Sequence, residues 1–360
     1  MPKIPNLYIC STVSFSGKTA ICLGLALKFK EEGYEVGYFK PVGWEMARGA
    51  DGVGFDEDAQ LMSHVLNLEA PLNSISPVIF HNRFLEEFLK HKPVYYEKRI
   101  LEAYAECSKS KDIMIIEGPN TLGCGACLNI DPVTVSKKID SNVLLVSKIV
   151  NDDTICQIVR DYYCIKRDGA KFVGSILNDI PRITFERVRG LSIPTLEKNG
   201  VNILGIVPEN IALRAPTVRE IHERIGGEII AGKENLDNLV EDFLIGAMTL
   251  ESALTYFRRS VNKAVITGGD RSDIQLAALQ TNTSALILTG NLYPDVRVLA
   301  RAEHQGVPVL LVPYDTYTTV SKTNEVSGRI KYSDEKKIKL AKRVVEEHVK
   351  WKEVLKSLAV

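Results

Sequence analysis

The sequence predicts an α/β fold in two parts: a doubly wound, mostly parallel sheet, then a smaller α/β domain and a C-terminal helix. Short runs of β-branched residues alternate with helical stretches along the first half of the chain, a pattern typical of a parallel sheet covered by helices. These runs are apolar on both faces, as strands buried on both sides are. The alternation restarts near Pro216, which predicts the second domain.

The first domain is predicted over residues 1–215. Its strands are the apolar runs at 7–10, 36–39, 113–116, 143–146, 173–177 and 203–207. A helix is predicted over 18–32, because Gly33 is a normal C-terminal stop. A second helical stretch covers 84–107.

The second domain is predicted over residues 216–330. Its elements are a helical segment at 236–260, a strand at 264–267, a helix at 274–281, a strand at 285–288, a helix at 294–305 and a strand at 309–312. The C-terminal helix is predicted over 331–360, where apolar residues recur at helical spacing after Asp334 and Glu335, two acidic residues suited to a helix N-terminus. We expect this helix to pack on the second domain.

The composition excludes two broad classes of partner. The 360 residues include 45 Lys+Arg and 45 Asp+Glu, so the formal net charge is zero. Proteins that work by holding nucleic acid or anionic lipid normally carry a basic surplus, so neither nucleic acid nor a membrane is an expected partner. Hydrophobic residues make up 45% and charged residues 25%, which is typical of a folded globular chain rather than a disordered one.

The same survey predicts a cytoplasmic protein. The sequence has no apolar run near the roughly 18 residues that span a bilayer, and its first residues have no signal-peptide core. Its seven cysteines are odd in number, unlike a disulfide framework, so reduced thiols are expected.

A phosphate-binding loop is predicted at residues 11–19, which read Ser-Thr-Val-Ser-Phe-Ser-Gly-Lys-Thr between the first strand and the first helix. In this setting the loop amides can cradle phosphates, Lys18 can reach the terminal phosphates, and the Thr19 hydroxyl can ligate Mg²⁺. Thr12 stands where the standard spacing has glycine, so the motif is a degenerate Walker A. Gly-Lys-Thr could also open a helix without a ligand. The predicted nucleotide-binding residues of the loop are Ser14, Phe15, Ser16, Gly17, Lys18 and Thr19.

Polar residues also follow or end several strands, where a doubly wound sheet directs them toward its ligand. Lys40 follows the second strand, Glu117 ends the third, and Asn178 follows a later one. A carboxylate such as Glu117 opposite a phosphate loop suits Mg²⁺, although an exposed strand-end glutamate would have the same pattern.

The acidic run Asp56-Glu57-Asp58 precedes an apolar helical stretch and has two interpretations. It can cap the helix and complement its dipole. Alternatively, Asp58 can supply a second carboxylate to the metal ion. Both interpretations remain open from the sequence.

The motifs together resemble those of known families. Dethiobiotin synthetase-like (AAA_26-type) P-loop proteins carry, in the same order, motifs similar to Gly17-Lys18-Thr19, Lys40-Pro41-Val42, Asp58-Ala59, Glu117-Gly118 and Asn178. The second half resembles a DRTGG domain at 267–273, 288–290 and 312–317. This pair of modules, over most of residues 1–325, is similar to the N-terminal region of long phosphotransacetylases.

The resemblance implies ATP and Mg²⁺ as cofactors, and a homo-oligomer that binds a nucleotide and an unidentified small molecule. It implies these roles: Lys18 and Thr19 on phosphates and Mg²⁺, Lys40 on phosphate or a carboxylate-like substrate, Asp58 and Glu117 on Mg²⁺, and Asn178 on adenine. Lys18 and Lys40 are the expected catalytic residues if the protein is an enzyme.

Two departures from the family pattern argue against dethiobiotin synthesis itself. Val13 stands where biotin-pathway enzymes usually carry an aspartate, and residues 119–122 replace their glycine-rich segment. The acyltransferase domain of long phosphotransacetylases has no counterpart in these 360 residues, so acetyl transfer is not expected.

Three functions remain. The leading hypothesis is an ATP- and Mg²⁺-binding regulatory or assembly protein, since DRTGG domains are mostly described as such modules. The main rival is an ATP-dependent C–N ligase that activates a small carboxylate or carbamate as an acyl phosphate. A structural module that has lost nucleotide chemistry is the third.

Two further motifs have open roles. Arg271, between a predicted strand and helix, could bind an anion as a bidentate partner or form an internal salt bridge with Asp270, Asp273 or Asp295. Cys124 and Cys127 form a single CxxC pair, which by itself cannot complete a four-ligand metal site.

Overall fold

The chain folds into two units in which helices and mostly parallel strands alternate, which confirms the predicted α/β fold class. The computed structural model describes residues 4–44, 47–48, 54–81, 84–88, 92–324, 326 and 328–358. Unit 1 comprises residues 1–209 and 330–360, and unit 2 comprises residues 210–329.

Unit 1 is built from short strands and helices that alternate along the chain. The strands are β1 Asn6–Ser11, β2 Val36–Phe39, β3 Val42–Trp44, β4 Ala47–Arg48, β5 Gly54–Phe55, β6 Val78–Phe80, β7 Ile113–Glu117, β8 Asn142–Ser147, β9 Lys171–Ile180 and β10 Ile203–Pro208. The helices before unit 2 are α1 Lys18–Glu31, α2 Glu57–Leu66, α3 Leu72–Ile75, α4 Phe84–Phe88, α5 Pro93–Cys107, α6 Pro132–Lys138, α7 Asp152–Arg167, α8 Phe185–Arg187 and α9 Ile193–Lys198.

The main sheet of unit 1 has the order β10-β9-β8-β1-β7-β2, with every neighbouring pair parallel. Its strands coincide with the six predicted runs. Every residue of β1 is buried, as expected for a strand covered on both faces. On one side of β1 lie β7 and then β2, and on the other side β8 pairs with β1. The carboxyl end of β1 is therefore a topological switch point, where such sheets bind ligands.

The predicted single helical stretch over 84–107 is wrong. The structure has two helices there, α4 and α5, and residues 89–91 between them lie outside the described residues. Lys92 is extended and α5 begins at Pro93. Proline has no N–H to donate to a preceding turn, so it starts a helix more readily than it continues one.

Unit 2 is a smaller sheet with helices. Its strands are β11 Glu228–Ala231, β12 Asp242–Ile245, β13 Lys263–Gly268, β14 Thr283–Thr289 and β15 Val309–Leu311. Its helices are α10 Ile211–Arg214, α11 Val218–Ile225, α12 Leu250–Phe257, α13 Ser272–Ala278, α14 Val296–Gln305 and α15 Thr316–Asn324. The strand order is β11-β15-β14-β13-β12, and β11 is antiparallel to β15 whereas the other pairs are parallel.

Alternate residues of the unit 2 strands face two different apolar clusters. Val265 of β13 packs in a cluster with residues of α12, α13 and α14. Its neighbours Ala264 and Ile266 pack in a second cluster with residues of α11. Because side chains alternate along a strand, this sheet has helices on both faces, as predicted for an α/β domain.

The predicted helical segment over 236–260 is wrong in its first half. Residues 242–245 form β12, parallel to β13, with Ile245 opposite Ile266, and α12 begins only at Leu250. A short apolar run cannot be assigned to strand or helix from periodicity alone. Pairing with β13 decides the outcome here.

The C-terminal tail packs on unit 1, so its predicted packing on the second domain is wrong. The single helix predicted over 331–360 is also wrong, because the tail forms two helices, α16 Glu335–His348 and α17 Trp351–Leu358. Val349 between them is extended and pairs with Gly205, and Asp334 caps α16 as expected. Helix α16 lies against α1 so closely that a Cβ on Gly24 would lie 2.4 Å from Val345 Cγ2. Helical spacing predicts that a helix has an apolar face, but it does not identify the surface that covers this face.

Candidate functional site

The connection between β1 and α1 lies at the switch point of the main sheet. It comprises residues 12–17, because β1 ends at Ser11 and α1 begins at Lys18. Phe15 and Gly17 have positive φ angles, 55° and 76°. No side chain caps α1 at Gly17, and backbone N–H groups at such a helix start are suited to bind an anion.

Lys18 lies over the beginning of this loop. Its side chain is buried, and Nζ donates to Ser11 Oγ at 2.8 Å. Ser11 Oγ in turn donates to the carbonyl oxygen of Asn120 at 2.8 Å. Burial lowers the pKa of Lys18, and the nearby Glu117 carboxylate opposes that shift. The hydrogen bond to Ser11 holds Lys18, the lysine predicted to reach the terminal phosphates, at the loop.

Thr19 and Glu117, both predicted at the metal ion, are in contact. Thr19 Oγ1 donates to Glu117 Oε1 at 2.8 Å, and the hydroxyl of Tyr38 donates to Glu117 Oε2 at 2.9 Å. Glu117 is only 2% exposed, and burial raises its pKa. Tyr38 was not predicted, although it lies two residues before Lys40 and thus on the same face of that stretch of chain.

Lys40 lies among three carboxylates. Its Nζ is 3.0 Å from Asp56 Oδ1, 2.5 Å from Asp58 Oδ2 and 3.8 Å from Glu117 Oε1. Burial alone would lower the pKa of Lys40, but the three negative charges together raise it well above its usual value. We call Lys40, Asp56, Asp58 and Glu117 the Lys40 cluster.

Asp56 both caps α2 and belongs to the Lys40 cluster. Its Oδ1 accepts from the backbone N–H groups of Asp58 and Ala59, at 3.0 and 3.2 Å, and its Oδ2 accepts from that of Trp44 at 2.9 Å. The capping interpretation of the acidic run is confirmed for this residue. Asp58 contacts Lys40, and its direct role at a metal ion stays a prediction.

The residues beside the loop fit a magnesium ion. Mg²⁺ prefers hard oxygen ligands and usually takes one or two protein carboxylates plus phosphate oxygens and water. The Thr19 hydroxyl and the Glu117 carboxylate supply oxygens of this kind 2.8 Å apart. Within the described residues, no group of three His, Cys, Asp or Glu side chains is arranged to hold a metal ion, so an ion here would take further ligands from phosphate and water.

The remaining predicted residues lie on or against the loop. Ser14 is exposed, Phe15 is 77% exposed, and Ser16 is buried. Asn178 lies within β9, where its Nδ2 donates to the Ser16 carbonyl oxygen at 2.8 Å. The implied contact of Asn178 with adenine stays a prediction. Thr12, at the position of the usual glycine, has its Oγ1 2.9 Å from Ser147 Oγ.

In unit 2, the arginine of the segment Gly269-Asp270-Arg271, which lies between β13 and α13, forms an internal ion pair. Arg271 donates to both carboxylate oxygens of Asp273 at 3.1 Å and to the Met248 carbonyl oxygen at 3.1 Å. A Cβ on Gly269 would lie 1.6 Å from the Leu292 carbonyl oxygen. The salt-bridge interpretation is confirmed, and this turn needs glycine because another loop packs directly against it.

The CxxC pair does not form a disulfide. Cys124 is half-buried and Cys127 is exposed, and both are free thiols. Burial raises the pKa of the Cys124 thiol, which lowers its thiolate fraction and its reactivity.

This arrangement defines the P-loop NTPase class: a parallel sheet carries a Gly-Lys-Thr loop at its switch point. The Thr19–Glu117 pair lies beside that loop. Sequence comparison is in agreement. Residues 5–217 match the family described as AAA domain (AAA_26), and the chain belongs to that family. Residues 220–326 match the DRTGG domain, so the predicted pair of modules is confirmed.

The curated relatives are long enzymes. The chain is 26% identical over 361 residues to phosphate acetyltransferase of Nitratidesulfovibrio vulgaris, covering 96% of this chain and 50% of that protein. It is 23% identical over 356 residues to phosphate acetyltransferase of Synechocystis sp., covering 93% of this chain and 49% of that protein. The predicted likeness to the N-terminal region of long phosphotransacetylases is confirmed. The chain spans about half the length of these relatives.

Among solved structures, the septum site-determining protein MinD of Pyrococcus horikoshii, complexed with Mg-ADP, is 17% identical to this chain. The TM-score is 0.37, and the match covers 58% of this chain and 83% of MinD.

Proposed function

We propose that the chain binds ATP with Mg²⁺ at residues 11–19 and acts as a nucleotide-dependent regulatory or assembly protein. The observation that carries the proposal is the Thr19 hydroxyl held 2.8 Å from the buried Glu117 carboxylate, directly after the buried Lys18. The loop amides and the start of α1 would hold the phosphate oxygens. Lys18 would neutralise the terminal phosphates, and Thr19 and Glu117 would hold Mg²⁺, which when bound neutralises charge on the β- and γ-phosphates.

The Lys40 cluster favours this role over that of a ligase. In the ligase hypothesis, Lys40 orients the carboxylate or carbamate of a substrate. Here its ammonium already contacts Asp56 and Asp58 and lies 3.8 Å from Glu117. A substrate carboxylate approaching Lys40 would meet three negative charges around one positive charge, and like charges at such distances repel. The site therefore supports nucleotide binding more than carboxylate binding.

Unit 2 is the part of the chain to which we assign regulation or assembly. Its match to the DRTGG domain supports this assignment, and its effector and the homo-oligomer stay predictions. No helix in the described part of the chain is long and apolar enough to cross a membrane. The predicted cytoplasmic location and the predicted lack of acetyl transfer remain to be tested.

Isothermal titration of Mg·ATP into the wild type, Lys18→Ala and Lys30→Ala tests the proposal. Lys30 is an exposed lysine near the other end of α1, so it controls for the loss of one positive charge from that helix. A hydrogen bond to a charged group contributes about 1.5–3 kcal/mol, so Lys18→Ala should bind about 10- to 100-fold more weakly, whereas Lys30→Ala should match the wild type. A wild type that binds no Mg·ATP would contradict the proposal and favour the structural module.

The rate of ADP release separates a sensor from a ligase. A sensor should hydrolyse ATP slowly or not at all, and small carboxylates and amines should not change that rate. A ligase should release ADP faster when its substrates are added. Faster ADP release on addition of a carboxylate–amine pair would favour the ligase.

A further inference from the structure

The two cysteines of the CxxC pair lie in the turn that connects β7 to α6. This turn comprises residues 118–131, and we call it the cysteine turn. Cys127 is exposed, Cys124 is half-buried, and both thiols are free. In a thiol–disulfide site the accessible sulfur reacts first and a neighbouring thiol then completes the bond. The different exposures of Cys127 and Cys124 suit these two parts.

The backbone of the cysteine turn brings the two thiols close together. The N–H groups of residues 124, 126, 128 and 129 donate to the carbonyl oxygens three residues earlier, at 2.9–3.2 Å. In turns of this kind, residues three apart lie on the same side of the chain, and Cys124 and Cys127 have this spacing. Burial raises the pKa of the Cys124 thiol, and the charge of Cys127 raises it further, as a like charge nearby does.

The cysteine turn also contacts the phosphate loop, residues 11–19. The carbonyl oxygen of Asn120 accepts from Ser11 Oγ at 2.8 Å, and Ser11 Oγ accepts from Lys18 Nζ at 2.8 Å. Against the effect of burial, the backbone N–H of Asn120 and the charge of Lys18 lower the pKa of the Cys124 thiol. The sulfur of Cys124 therefore lies near the groups that hold Lys18 at the loop.

The two sides of the cysteine turn are held unequally. On the side of Cys127, Leu128 and Ile130 are 1% and 0% exposed, so this side is anchored in the core. On the other side, Leu122 is the one buried residue of the segment 120–124. A disulfide requires its two Cβ atoms to lie about 3.5–4.5 Å apart. Closing the bond should therefore move mainly the segment 120–124, which includes the carbonyl oxygen that supports the phosphate loop.

We propose that Cys124 and Cys127 are a thiol–disulfide site through which low-molecular-weight disulfides lower the affinity of the phosphate loop for Mg·ATP. The bond displaces the Asn120 carbonyl oxygen, so that Ser11 loses its acceptor and no longer holds Lys18 in place. This inference rests on the proposed function, since it concerns regulation of the same site.

The reaction is a pair of thiol–disulfide exchanges. The Cys127 thiolate attacks one sulfur of the external disulfide, whose S–S bond breaks, and the released thiolate takes up the proton that Cys127 gave to solvent. Cys124 then loses its proton and attacks Cys127 Sγ, which releases the second half of the reagent as a thiol. The two protein thiols lose two electrons in total, and the external disulfide is reduced to two thiols.

The test treats the wild type, Cys124→Ser, Cys127→Ser and Cys156→Ser with oxidised glutathione. Cys156 is a matched control, because it is an exposed free thiol on α7. After alkylation of the free thiols, trypsin should release residues 112–137 as one peptide, in which Cys124 and Cys127 are the only cysteines. Mass spectrometry of this peptide reports their bond, and calorimetry measures the affinity for Mg·ATP before treatment, after it, and after reduction with dithiothreitol.

The disulfide and the weaker binding should appear together. In the treated wild type and in Cys156→Ser, the peptide should lose two hydrogens. Mg·ATP should then bind about 3- to 10-fold more weakly, as expected for one lost hydrogen bond, and dithiothreitol should restore the affinity. Cys124→Ser and Cys127→Ser cannot form the bond, so oxidised glutathione should leave their affinities unchanged. General damage by the reagent would weaken binding in these two variants as well.

Two results would overturn the inference while leaving the proposed function intact. In the first, the wild-type peptide carries glutathione or links two chains but has no internal disulfide. In the second, the internal disulfide forms and the affinity for Mg·ATP does not change. A reduced wild type that binds no Mg·ATP would instead contradict the proposed function and, with it, the regulatory part of this inference, whereas the peptide would still show whether the two thiols pair.

Discussion

Replacing Lys40 by Met should strongly destabilise the free protein. Lys40, Asp56 and Glu117 are 5%, 1% and 2% exposed, and the Lys40 ammonium is the cation nearest to Asp56 and Asp58 among the ion pairs of the described residues. Removing one partner of a buried ion pair costs about 3–5 kcal/mol, because a buried charge is left without compensation. For a domain of roughly 150–250 residues, each kcal/mol changes Tm by about 2–4 °C, which predicts a decrease of about 6–20 °C.

The assay is urea unfolding followed by circular dichroism, in EDTA and without nucleotide. Lys30→Met is the control, because Lys30 is exposed and such surface changes usually stay within about 0.5 kcal/mol. In the double variant Lys40→Met/Asp58→Asn, one of the negative charges that surround the lost ammonium is gone, so this variant should be more stable than Lys40→Met alone. A loss below about 1 kcal/mol in Lys40→Met, or no recovery in the double variant, would refute the electrostatic account of the Lys40 cluster.

Two further predictions concern packing and pH. Gly24→Ala places a Cβ 2.4 Å from the Val345 side chain and should lower the free energy of unfolding by about 1–3 kcal/mol. Gly190→Ala is the control, because nothing lies within 4 Å of its Cβ, and it should not lower that free energy. Equal denaturation midpoints for the two variants would contradict the packing of α16 on α1. Burial lowers the pKa of Lys263 to about 8, below its unfolded value of about 10.4. The unfolded state therefore binds more protons between these values, so the free energy of unfolding should rise with pH there. Lys263→Met should lack this rise in urea titrations near pH 8 and pH 10, and parallel profiles for the two proteins would exclude the assigned shift.

The main sheet could be predicted because its strands are encoded locally. Each is a short apolar run, and a strand buried on both faces needs no alternation. The segment 242–245 shows the limit of this reasoning. Three of its four residues are apolar, but it becomes a strand only by pairing with β13. Local periodicity does not contain that contact.

The tail illustrates a second limit. The spacing of its apolar residues correctly predicts α16, and Asp334 caps that helix as expected. Its partner is α1, more than 300 residues earlier in the chain, where Lys28 donates to Glu346 at 2.9 Å. The amphipathic pattern does not identify this partner, and nearness in sequence suggested the wrong domain.

The candidate site was predictable where motif and topology coincide. Lys18, Thr19 and Glu117 are brought together because parallel strands end at one edge of the sheet. The partners of Lys40 were only half predicted. The sequence presents Asp58 as a candidate metal carboxylate and Asp56 as part of a helix cap, whereas both contact Lys40 in the structure and Asp56 also caps α2. The ion pair of Asp56 with Lys40 depends on a contact between the end of β2 and the start of α2, and no sequence motif encodes that contact.

The most direct test of the central claim is a crystal structure of the protein with Mg²⁺ and a non-hydrolysable ATP analogue. The account predicts the triphosphate on the amides that follow Ser16, with Lys18 at its terminal phosphate and Mg²⁺ bound between Thr19 and Glu117. A triphosphate bound elsewhere, or a phosphate loop left empty at saturating ligand, would contradict it.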